Sequence, residues 1–324
     1  MNTIAPTIRN DQGWKTLVAE NDAETLKETP LTALHRECGA RLVPFAGYLM
    51  PVHFETGILA EHAQCRQRAA LFDVSHMGQI RISGTRATEA LETLVPGDIA
   101  GLREGSIRYT VFTNARGGIE DDLMVTRAPD HLLLVVNASR KAADLAHLTA
   151  AIGRDCDLLA LSDRALLALQ GPAVAATLAR LAPGVETMTF MTARALSVDG
   201  IPCFVSRSGY TGEDGFELSV LAGDAEALAR RLLALPGVAP VGLGARDSLR
   251  LEAGLCLHGS DITDATTPVE ADLSWVVPRR RRETGGFPGA EIVRAQLTGG
   301  TERVRIGLAI EGRVPARSHA VITD

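Results

Sequence analysis

Three consecutive carboxylates, Glu120, Asp121 and Asp122, are the residues of this sequence best suited to chemistry. They follow Gly117 and Gly118, which favour a turn because glycine tolerates positive φ without a Cβ clash. The apolar run 123–125 then predicts a strand, whose side chains alternate between two faces. At least one carboxylate should point inward, where it needs a hydrogen-bond donor or a cation. Such a group is either a structural acceptor or a functional acid with a shifted pKa. A solvated turn with a capping acid is the remaining alternative.

The sequence offers little support for a metal site. His62 and Cys65 are spaced as neighbours on a helix, but no second pair of ligands accompanies them, so we expect no metal. The cysteines are odd in number and form no Cys-x-x-Cys pair, which is typical of free thiols in a reducing compartment. They are Cys38, Cys65, Cys156, Cys203 and Cys256.

Length and composition limit the class of protein. A chain of 324 residues fits two or three domains of ordinary size. With 46% hydrophobic and 22% charged residues, it has the composition of a soluble globular protein. The net charge of -6 argues against nucleic acid as the main partner, and no apolar run approaches the ~20 residues that span a bilayer. Residues 1–29 are polar and lack the hydrophobic segment of a secretory signal, so we expect a cytoplasmic protein.

The elements that must position the carboxylates are predicted to form an α+β fold with antiparallel sheets. Strands are predicted at 80–82, 109–113, 123–126, 132–136, 203–206, 216–220 and 304–310. Helices are predicted at 58–70, 85–95, 139–152, 172–181, 224–235 and 242–254. The segment 42–54 is rich in proline and aromatic residues, which favours an ordered loop over a long helix or a central strand.

Six motifs in this chain resemble, in order and spacing, those of the aminomethyltransferase family, the T-protein of the glycine cleavage system. They are FDVSHM at 72–77, GGIEDD at 117–122, GYTGEDGFE at 209–217, GARDSLRLEAGL at 244–255, TTPVE at 266–270 and FPGA at 287–290. The resemblance extends from about residue 31 to residue 324. Each motif alone is weak, and only their common order makes the resemblance specific.

The resemblance implies a fold. The family's fold is an α+β cloverleaf of several domains, with antiparallel sheets around a central folate channel. On this chain the resemblance implies a flexible N-terminal arm at 1–29, a first folate-binding domain at 30–78 and 161–250, a second folate-binding domain with the acidic turn at 79–160 and 251–296, and the start of a truncated C-terminal β-barrel domain at 297–324. The family's third domain runs several tens of residues further and contributes a basic contact to the folate tail. On this resemblance we do not expect that contact within residues 297–324, because either the sequence is truncated or the third domain is vestigial.

The resemblance also implies a reaction. Enzymes of this family take the aminomethyl group from the dihydrolipoyl arm of a lipoylated partner, H-protein. They pass its carbon to tetrahydrofolate, which leaves as 5,10-methylenetetrahydrofolate, and they release ammonia. No metal, nucleic acid or membrane is expected to take part.

The resemblance assigns roles to individual residues. Asp121 matches the family's catalytic aspartate, which would stabilise the iminium-like carbon formed as ammonia leaves and would accept a hydrogen bond from folate N10. Glu217 is expected to accept two N–H groups of the pterin, because charge-assisted bonds to a planar carboxylate are strong. Its alternative is a surface position on a strand. Tyr109 and Tyr210 would offer flat faces to the heterocycle, although such residues also pack in cores.

The remaining assignments are weaker. Arg246 matches a folate-site arginine, with a salt bridge to Asp247 as the alternative. Met77 matches a residue that lines the folate channel. Asn137 would bond the edge of the ring, unless it only forms a turn. The basic run 279–282 could attract an acidic carrier protein or a polyglutamate tail, but we expect it to be solvated.

Two other readings compete with an aminomethyltransferase. A folate-dependent demethylase, or the folate domain of a sarcosine or dimethylglycine oxidase, would share the cleft and take carbon from a methylated amine or sulfur. No flavin-binding Gly-x-Gly-x-x-Gly turn precedes the motifs, which disfavours the oxidases. A folate-binding iron-sulfur assembly or regulatory protein would carry Lys-Gly-Cys and Gly-Gln-Glu sequences, and neither is found in this chain.

Overall fold

The computed structural model describes residues 26–312 and 320–321 and shows an α+β fold of mostly antiparallel sheets. The strands are β1 Arg41–Phe45, β2 Tyr48–His53, β3 Ala69–Asp73, β4 Gly78–Ser83, β5 Ile107–Thr113, β6 Ile119–Arg127, β7 His131–Val136, β8 Asp157–Ala160, β9 Arg164–Gln170, β10 Thr192–Val198, β11 Ile201–Arg207, β12 Gly215–Leu221 and β13 Val238–Pro240. The helices are α1 Thr32–Glu37, α2 Ile58–Gln67, α3 Ala87–Glu92, α4 Lys141–Ile152, α5 Val174–Leu178, α6 Ala222–Leu233, α7 Leu243–Glu252, α8 Arg279–Thr284 and α9 Ala290–Gly299.

The larger sheet has six strands in the order β10-β11-β12-β9-β3-β13. Its neighbours are antiparallel except for the parallel pair of β3 and β13. One face packs on α5 and α6, where Leu228 and Leu232 are spaced four residues apart and are fully buried. The other face packs on α7 through Ala245 and Leu249. Burial of each such leucine stabilises the fold by roughly 2 kcal/mol.

The smaller sheet has five antiparallel strands in the order β5-β6-β7-β4-β8. Its helix-covered face packs on α3 and α4 through Leu91 and Leu148. Part of the opposite face is covered by the segment 256–293, with Val111 of β5 in the shared core. On the rest of that face, Tyr109 and Asp122 interact with Tyr210, which lies under Arg246, and we call the region around these four side chains the cleft.

Side chains and backbone groups fix the two sheets against each other. Gln79 of β4 donates to Ala165 O in β9 at 3.4 Å and accepts from Ser219 Oγ in β12 at 2.5 Å. At the sheet edge, Ile107 N donates to Met191 O at 2.8 Å. Each sheet draws its strands from one of the two folate-binding segments named above, and the domain division itself stays a prediction.

Five strands of the two sheets, β3, β8, β9, β10 and β13, were not predicted, and three predicted local structures differ from the sequence-based expectations. The segment expected to be a loop at 42–54 contains the hairpin of β1 and β2, with Ala46 and Gly47 at positive φ in its turn. The strand expected at 304–310 is absent from the described residues. Its four alternating apolar side chains are each more than half exposed, because an alternating segment without a neighbouring strand gains little by extending. Of the predicted N-terminal arm, residues 1–25 lie outside the described part of the chain.

The third difference concerns the acidic motif. Strand β6 begins at Ile119, four residues earlier than expected, so all three carboxylates lie within the strand and not in the turn before it. The turn is formed by 114–118, where Gly117 has a φ of 77°. Alternation along β6 therefore decides which carboxylate faces which side of the sheet.

Candidate functional site

The cleft between the two sheets is lined by side chains from both of them. On β6, Asp122 and Met124 lie opposite Val111 and Tyr109 of β5, so these four share one face of the sheet. Asp121 lies opposite Phe112 and shares the other face, the one covered by α4. The side chains of Asp121 and Asp122 therefore lie on opposite faces of the sheet.

Asp122 is the carboxylate on the cleft side. It is half-buried, and its Oδ1 accepts a hydrogen bond from Asn137 Nδ2 at 2.8 Å. The Tyr109 hydroxyl group donates a second hydrogen bond to the Asp122 carboxylate. Burial, and then the negative charge of Asp121, raise the pKa of Asp122 to about 7. A carboxyl group with that pKa changes its charge near neutral pH.

Asp121 is fully buried on the opposite face. Its Oδ1 accepts from Asn137 Nδ2 at 2.8 Å, and its Oδ2 accepts from Asn137 N at 3.3 Å. His258 Nδ1 lies 3.9 Å from Asp121 Oδ1. The catalytic role predicted for Asp121 stays a prediction, and its position is that of a structural acceptor behind the cleft.

Asn137 follows β7 and joins the two aspartates. Both hydrogen bonds of its side-chain Nδ2 at 2.8 Å go to carboxylates, one to Asp121 and one to Asp122. Its backbone carbonyl accepts from the first turn of α4, at Arg140 N and Lys141 N. Asn137 therefore acts both as the turn former and as a support for the acid in the cleft.

Tyr210 and Arg246 form the next part of the cleft wall. The Arg246 guanidinium group lies over the Tyr210 ring, 4.6 Å from its centroid, and the Tyr210 hydroxyl group donates to Cys256 O. Arg246 forms no ion pair among the residues that the structure describes. The alternative salt bridge to Asp247 is not formed, because Asp247 accepts from Arg250 Nε at 2.9 Å. A half-buried cation without a carboxylate partner can bind an acceptor group from a ligand.

Glu217 of β12 faces the same side as Arg246. Its Oε2 accepts from Ser208 Oγ at 2.9 Å, and its charge attracts the guanidinium group of Arg246. Glu217 Oε1 has no hydrogen-bond partner within the described residues, so one carboxylate oxygen is available to N–H donors. Met77 is half-buried and packs beside Val135 against the core between the larger sheet and α7. Charge interactions thus link Asp122, Tyr109, Tyr210, Arg246 and Glu217 in one cluster, whereas Asp121 lies behind it and Met77 packs in the neighbouring core.

Two residues of this cleft were not predicted from the sequence. Asp122 shares the motif of Asp121, and a signal for it exists: a period of two counted back from Leu123 puts Asp121 on the core side. Trp275 stacks on Tyr109, with ring centroids 5.3 Å apart and an interplanar angle of 29°, and is 60% exposed. The only signal for Trp275 is that it is one of two tryptophans in the chain.

Other features of the sequence have structural explanations. In the basic run, Arg280 pairs with Glu92 and Asp98, and Arg281 is buried with its guanidinium donating to the carbonyl groups of Glu92 and Val95. The expectation of a solvated run is therefore wrong for Arg281, whereas Arg280 is exposed despite its ion pairs. Across the described part of the chain, no three His, Cys, Asp or Glu residues are close enough to hold a metal ion. No described helix is long and apolar enough to cross a membrane.

Comparison with known proteins gives consistent results. Residues 31–281 match the family described as "GCVT N-terminal domain". A crystal structure of the glycine cleavage system aminomethyltransferase T from Bartonella henselae is 47% identical in sequence, with a TM-score of 0.82 over 86% of this chain and 77% of that chain. The α+β fold class predicted from the sequence is confirmed by this likeness.

Curated relatives cover most of the chain. The mitochondrial aminomethyltransferase of Gallus gallus is 50% identical over 92% of this chain and 78% of its own length. That of Homo sapiens is 46% identical, with 93% and 76% covered, and that of Dictyostelium discoideum is 44% identical, with 94% and 79% covered. These mitochondrial relatives contradict the expected cytoplasmic location. The polar composition of residues 1–29 could not distinguish the compartments, because organelle transit peptides are amphipathic.

Proposed function

Since the chain belongs to the GCVT family of aminomethyltransferases, we propose that it transfers the carbon of an aminomethyl group to tetrahydrofolate in the cleft between its two sheets. The aminomethyltransferase function predicted from the sequence is confirmed at the level of this family. The folate, the lipoylated H-protein that delivers the aminomethyl group, and the roles of the residues are part of the proposal.

One observation carries the proposal. The Arg246 guanidinium group lies over the Tyr210 ring, and neither that group nor Oε1 of Glu217 has a hydrogen-bond partner among the described residues. A pterin offers adjacent N–H and NH₂ groups to a carboxylate and a carbonyl oxygen to a cation. The two unpaired groups fit those atoms. Tyr109, Trp275 and Tyr210 supply the flat apolar surfaces that a heterocycle needs.

Asp122 is the group best placed to assist the transfer. When ammonia leaves the aminomethyl thioether, the carbon gains iminium-like positive charge, which an ionised and fixed carboxylate stabilises. Asn137 and Tyr109 hold Asp122 by hydrogen bonds, so no reorganisation is needed as the charge develops. The same carboxylate can orient N10 of the folate by accepting its hydrogen bond. We therefore assign to Asp122 the role predicted from the motif for Asp121.

The direct test is a reconstituted reaction. The purified chain is mixed with glycine, its decarboxylase, lipoylated H-protein and tetrahydrofolate, and both methylenetetrahydrofolate and ammonia are measured. We expect equal amounts of both products, and neither when the chain or the H-protein is left out. Formation of 5-methyltetrahydrofolate and glycine from sarcosine without H-protein would instead support a demethylase. No observation in the structure favours the iron-sulfur assembly alternative.

Binding can be measured apart from turnover. Trp275 lies in the cleft against Tyr109, so folate bound there should quench its fluorescence. Trp14 is the other tryptophan of the chain, and Trp14→Phe removes its background. Quenching that saturates in Trp14→Phe and is lost in Trp14→Phe/Trp275→Phe is expected. Unchanged fluorescence at saturating folate, with calorimetry also showing no binding, would refute the cleft as the folate site.

A further inference from the structure

A cavity of about 530 Å³ lies beside the first two turns of α4. Its apolar lining includes Phe112 near the end of β5 and Pro288. Its charged and titratable lining consists of Glu120 of β6 and of Arg140, Asp144 and His147 at the start of α4 and along it. None of the four side chains that define the cleft lines this cavity. It is therefore a separate polar site, to which the proposed transfer gives no role.

Three buried polar atoms around this cavity have no hydrogen-bond partner among the described residues. They are Nε of Arg140, Oδ2 of Asp144 and Nε2 of His147. Seven buried side-chain atoms of the described residues are without a partner, so three of the seven meet at this one place. Asp144 is only 2% exposed, which leaves its carboxyl group little contact with bulk solvent. Because buried polar atoms without partners are costly, their concentration here indicates a ligand that supplies the partners.

Helix α4 presents these three atoms on one face. Arg140, Asp144 and His147 are spaced four and three residues apart, which places them one above another on a helix. Asp144 N donates to Arg140 O at 2.8 Å, so the helical hydrogen bonds already begin at Arg140. Arg140 Nη2 donates to Glu120 Oε2 at 3.4 Å, which leaves Nε of the same guanidinium group unpaired. The His147 ring is in edge contact with the Phe112 ring, with centroids 5.3 Å apart.

The charges around the cavity restrict the class of ligand. A simple anion would meet the negative charge of Glu120, and a simple cation would meet the positive charge of Arg140. A metal ion is disfavoured, because no three His, Cys, Asp or Glu residues of the described chain could hold one. A molecule with a carboxylate and an ammonium group on the same carbon matches both signs. Such a molecule is short enough to fit between neighbouring side chains of one helix face.

We propose that this cavity binds a small α-amino acid as its zwitterion, with the carboxylate group on Arg140 and the ammonium group on Asp144 and His147. Nε of Arg140 donates to the ligand carboxylate in a charge-assisted hydrogen bond. Asp144 Oδ2 and His147 Nε2 accept from the ammonium group. Burial lowers the pKa of His147, so its ring is neutral and Nε2 can accept. The inference does not need the proposed function, because the cavity shares no side chain with the cleft.

Asp144 gives this binding a dependence on pH. Burial raises the pKa of Asp144 to about 9, so at neutral pH its carboxyl group must lose a proton to pair with an ammonium group. The affinity should therefore increase about ninefold from pH 7 to pH 8. The charged and titratable groups that face Asp144 are Glu120, Asp121 and Asp122 of β6 and Arg140 and His147 of α4. Because the pKa of Asp122 is about 7, the increase is also measured in Asp122→Asn, where it should persist, whereas Asp144→Asn should lack it.

Calorimetry of the full chain without folate tests the binding itself. The probes are glycine and L-alanine, and acetate and methylammonium serve as the separate halves of the zwitterion. At pH 8 we expect each amino acid to bind at one site with a Kd below about 1 mM. Each half should bind at least about 30-fold more weakly, because it engages only one of the two charges. If neither amino acid at about 10 mM gave heat or raised the Tm, the three atoms would be satisfied by water alone and the proposal would be wrong.

Variants locate the binding site. Asp144→Asn and Arg140→Gln each remove one charge, so each should weaken alanine binding at least about tenfold at pH 9. The matched controls are Asp157→Asn and Arg154→Gln, which change exposed residues close to α4 in sequence and should bind alanine as the wild type does. Ala143→Trp fills the cavity from an exposed position of α4 and should abolish binding. This variant keeps the test decisive if Asp144→Asn does not fold.

The outcomes separate this inference from the proposed function. Wild-type affinity for alanine in folded Asp144→Asn at pH 9, or in Ala143→Trp, would overturn the proposal. Binding that is lost in Arg246→Leu would also overturn it, because the amino acid would then lie in the cleft. Equal affinities at pH 7 and pH 8 would refute the pairing of the ammonium group with Asp144. If the chain proved not to be a folate transferase, the same amino-acid binding would still be expected.

Discussion

Exchanging Asp122 for Asn changes one charged oxygen into a neutral amide of the same shape, so it isolates the electrostatic part of the proposed chemistry. At a contact of about 4 Å and an effective dielectric constant of about 20, a carboxylate stabilises a unit positive charge by about 4 kcal/mol. Because only part of that charge develops in the transition state, we expect kcat to fall by about 10² to 10³. Folate affinity should change by less than about tenfold.

The pH dependence of kcat/KM provides a second quantitative test of the role of Asp122. With the pKa of Asp122 at about 7, the ionised and active form makes up about 10% of the protein at pH 6 and about 90% at pH 8. The kcat/KM of the free enzyme should therefore rise about ninefold between those two values. Asp122→Asn should lack this rise, because it has no group to ionise.

The assay is single-turnover formation of methylenetetrahydrofolate from preloaded H-protein, which separates chemistry from binding. Asp121→Asn is the comparison, and we expect about a tenfold loss, with the midpoint of the rise moved to lower pH because a negative charge beside Asp122 is removed. A hundredfold loss in Asp121→Asn together with normal turnover in Asp122→Asn would refute the assignment based on alternation in β6. It would uphold the role first predicted for Asp121.

Three further predictions concern binding and stability. Arg246→Leu should weaken tetrahydrofolate binding about 10- to 100-fold by calorimetry, because a charge-assisted hydrogen bond contributes about 1.5 to 3 kcal/mol. Arg246→Lys should have an intermediate affinity. Equal affinities in the wild type, Arg246→Leu and Arg246→Lys would contradict the site. Arg281 is buried, so Arg281→Ala should lower the free energy of unfolding measured in urea by about 3 kcal/mol. Arg279 is exposed, so Arg279→Ala should change that free energy by less than about 0.5 kcal/mol. Equal effects of the two substitutions would contradict the buried role of Arg281. Gly171→Ala should lower the free energy of unfolding by about 3 kcal/mol or more, because φ at Gly171 is 130° and the new Cβ would lie 2.2 Å from a backbone oxygen. In Gly223→Ala the new Cβ in α6 meets no atom, so this variant should be more stable by about 0.5 kcal/mol. A Gly171→Ala variant as stable as the wild type would refute the clash.

Local patterns in the sequence predict part of the fold. Alternation and turn residues predict six of the eleven strands of the two sheets, β4 to β7, β11 and β12, because a half-buried strand imposes a period of two on its own residues. They miss β3, β8, β9, β10 and β13. They fail for 304–310, where the same alternation lacks a neighbouring strand in the described structure. Whether a strand forms depends on its partner, and a partner is not a local property.

The site residues also differ in whether the local sequence predicts their positions. Apolar residues at 123 and 125 were sufficient to put Asp121 on the core side of β6 and Asp122 on the other, once the strand is extended back to Ile119. The hydrogen bonds from Asn137 Nδ2 to Asp121 and Asp122 have no such signal, because they depend on how the end of β7 lies beside β6. The stacking of Trp275 on Tyr109 joins residues 166 positions apart and is equally invisible in the sequence.

Asn137 carries a consequence for engineering this protein. Its side-chain amide donates both to Asp122 in the cleft and to Asp121 in the interior. A change at Asn137 would therefore affect both substrate specificity and internal packing. A library that varies Asp122 alone would leave an Asn137 donor facing a changed neighbour. Redesign of the cleft should therefore vary positions 121, 122 and 137 as one group, since Asn137 donates to both carboxylates.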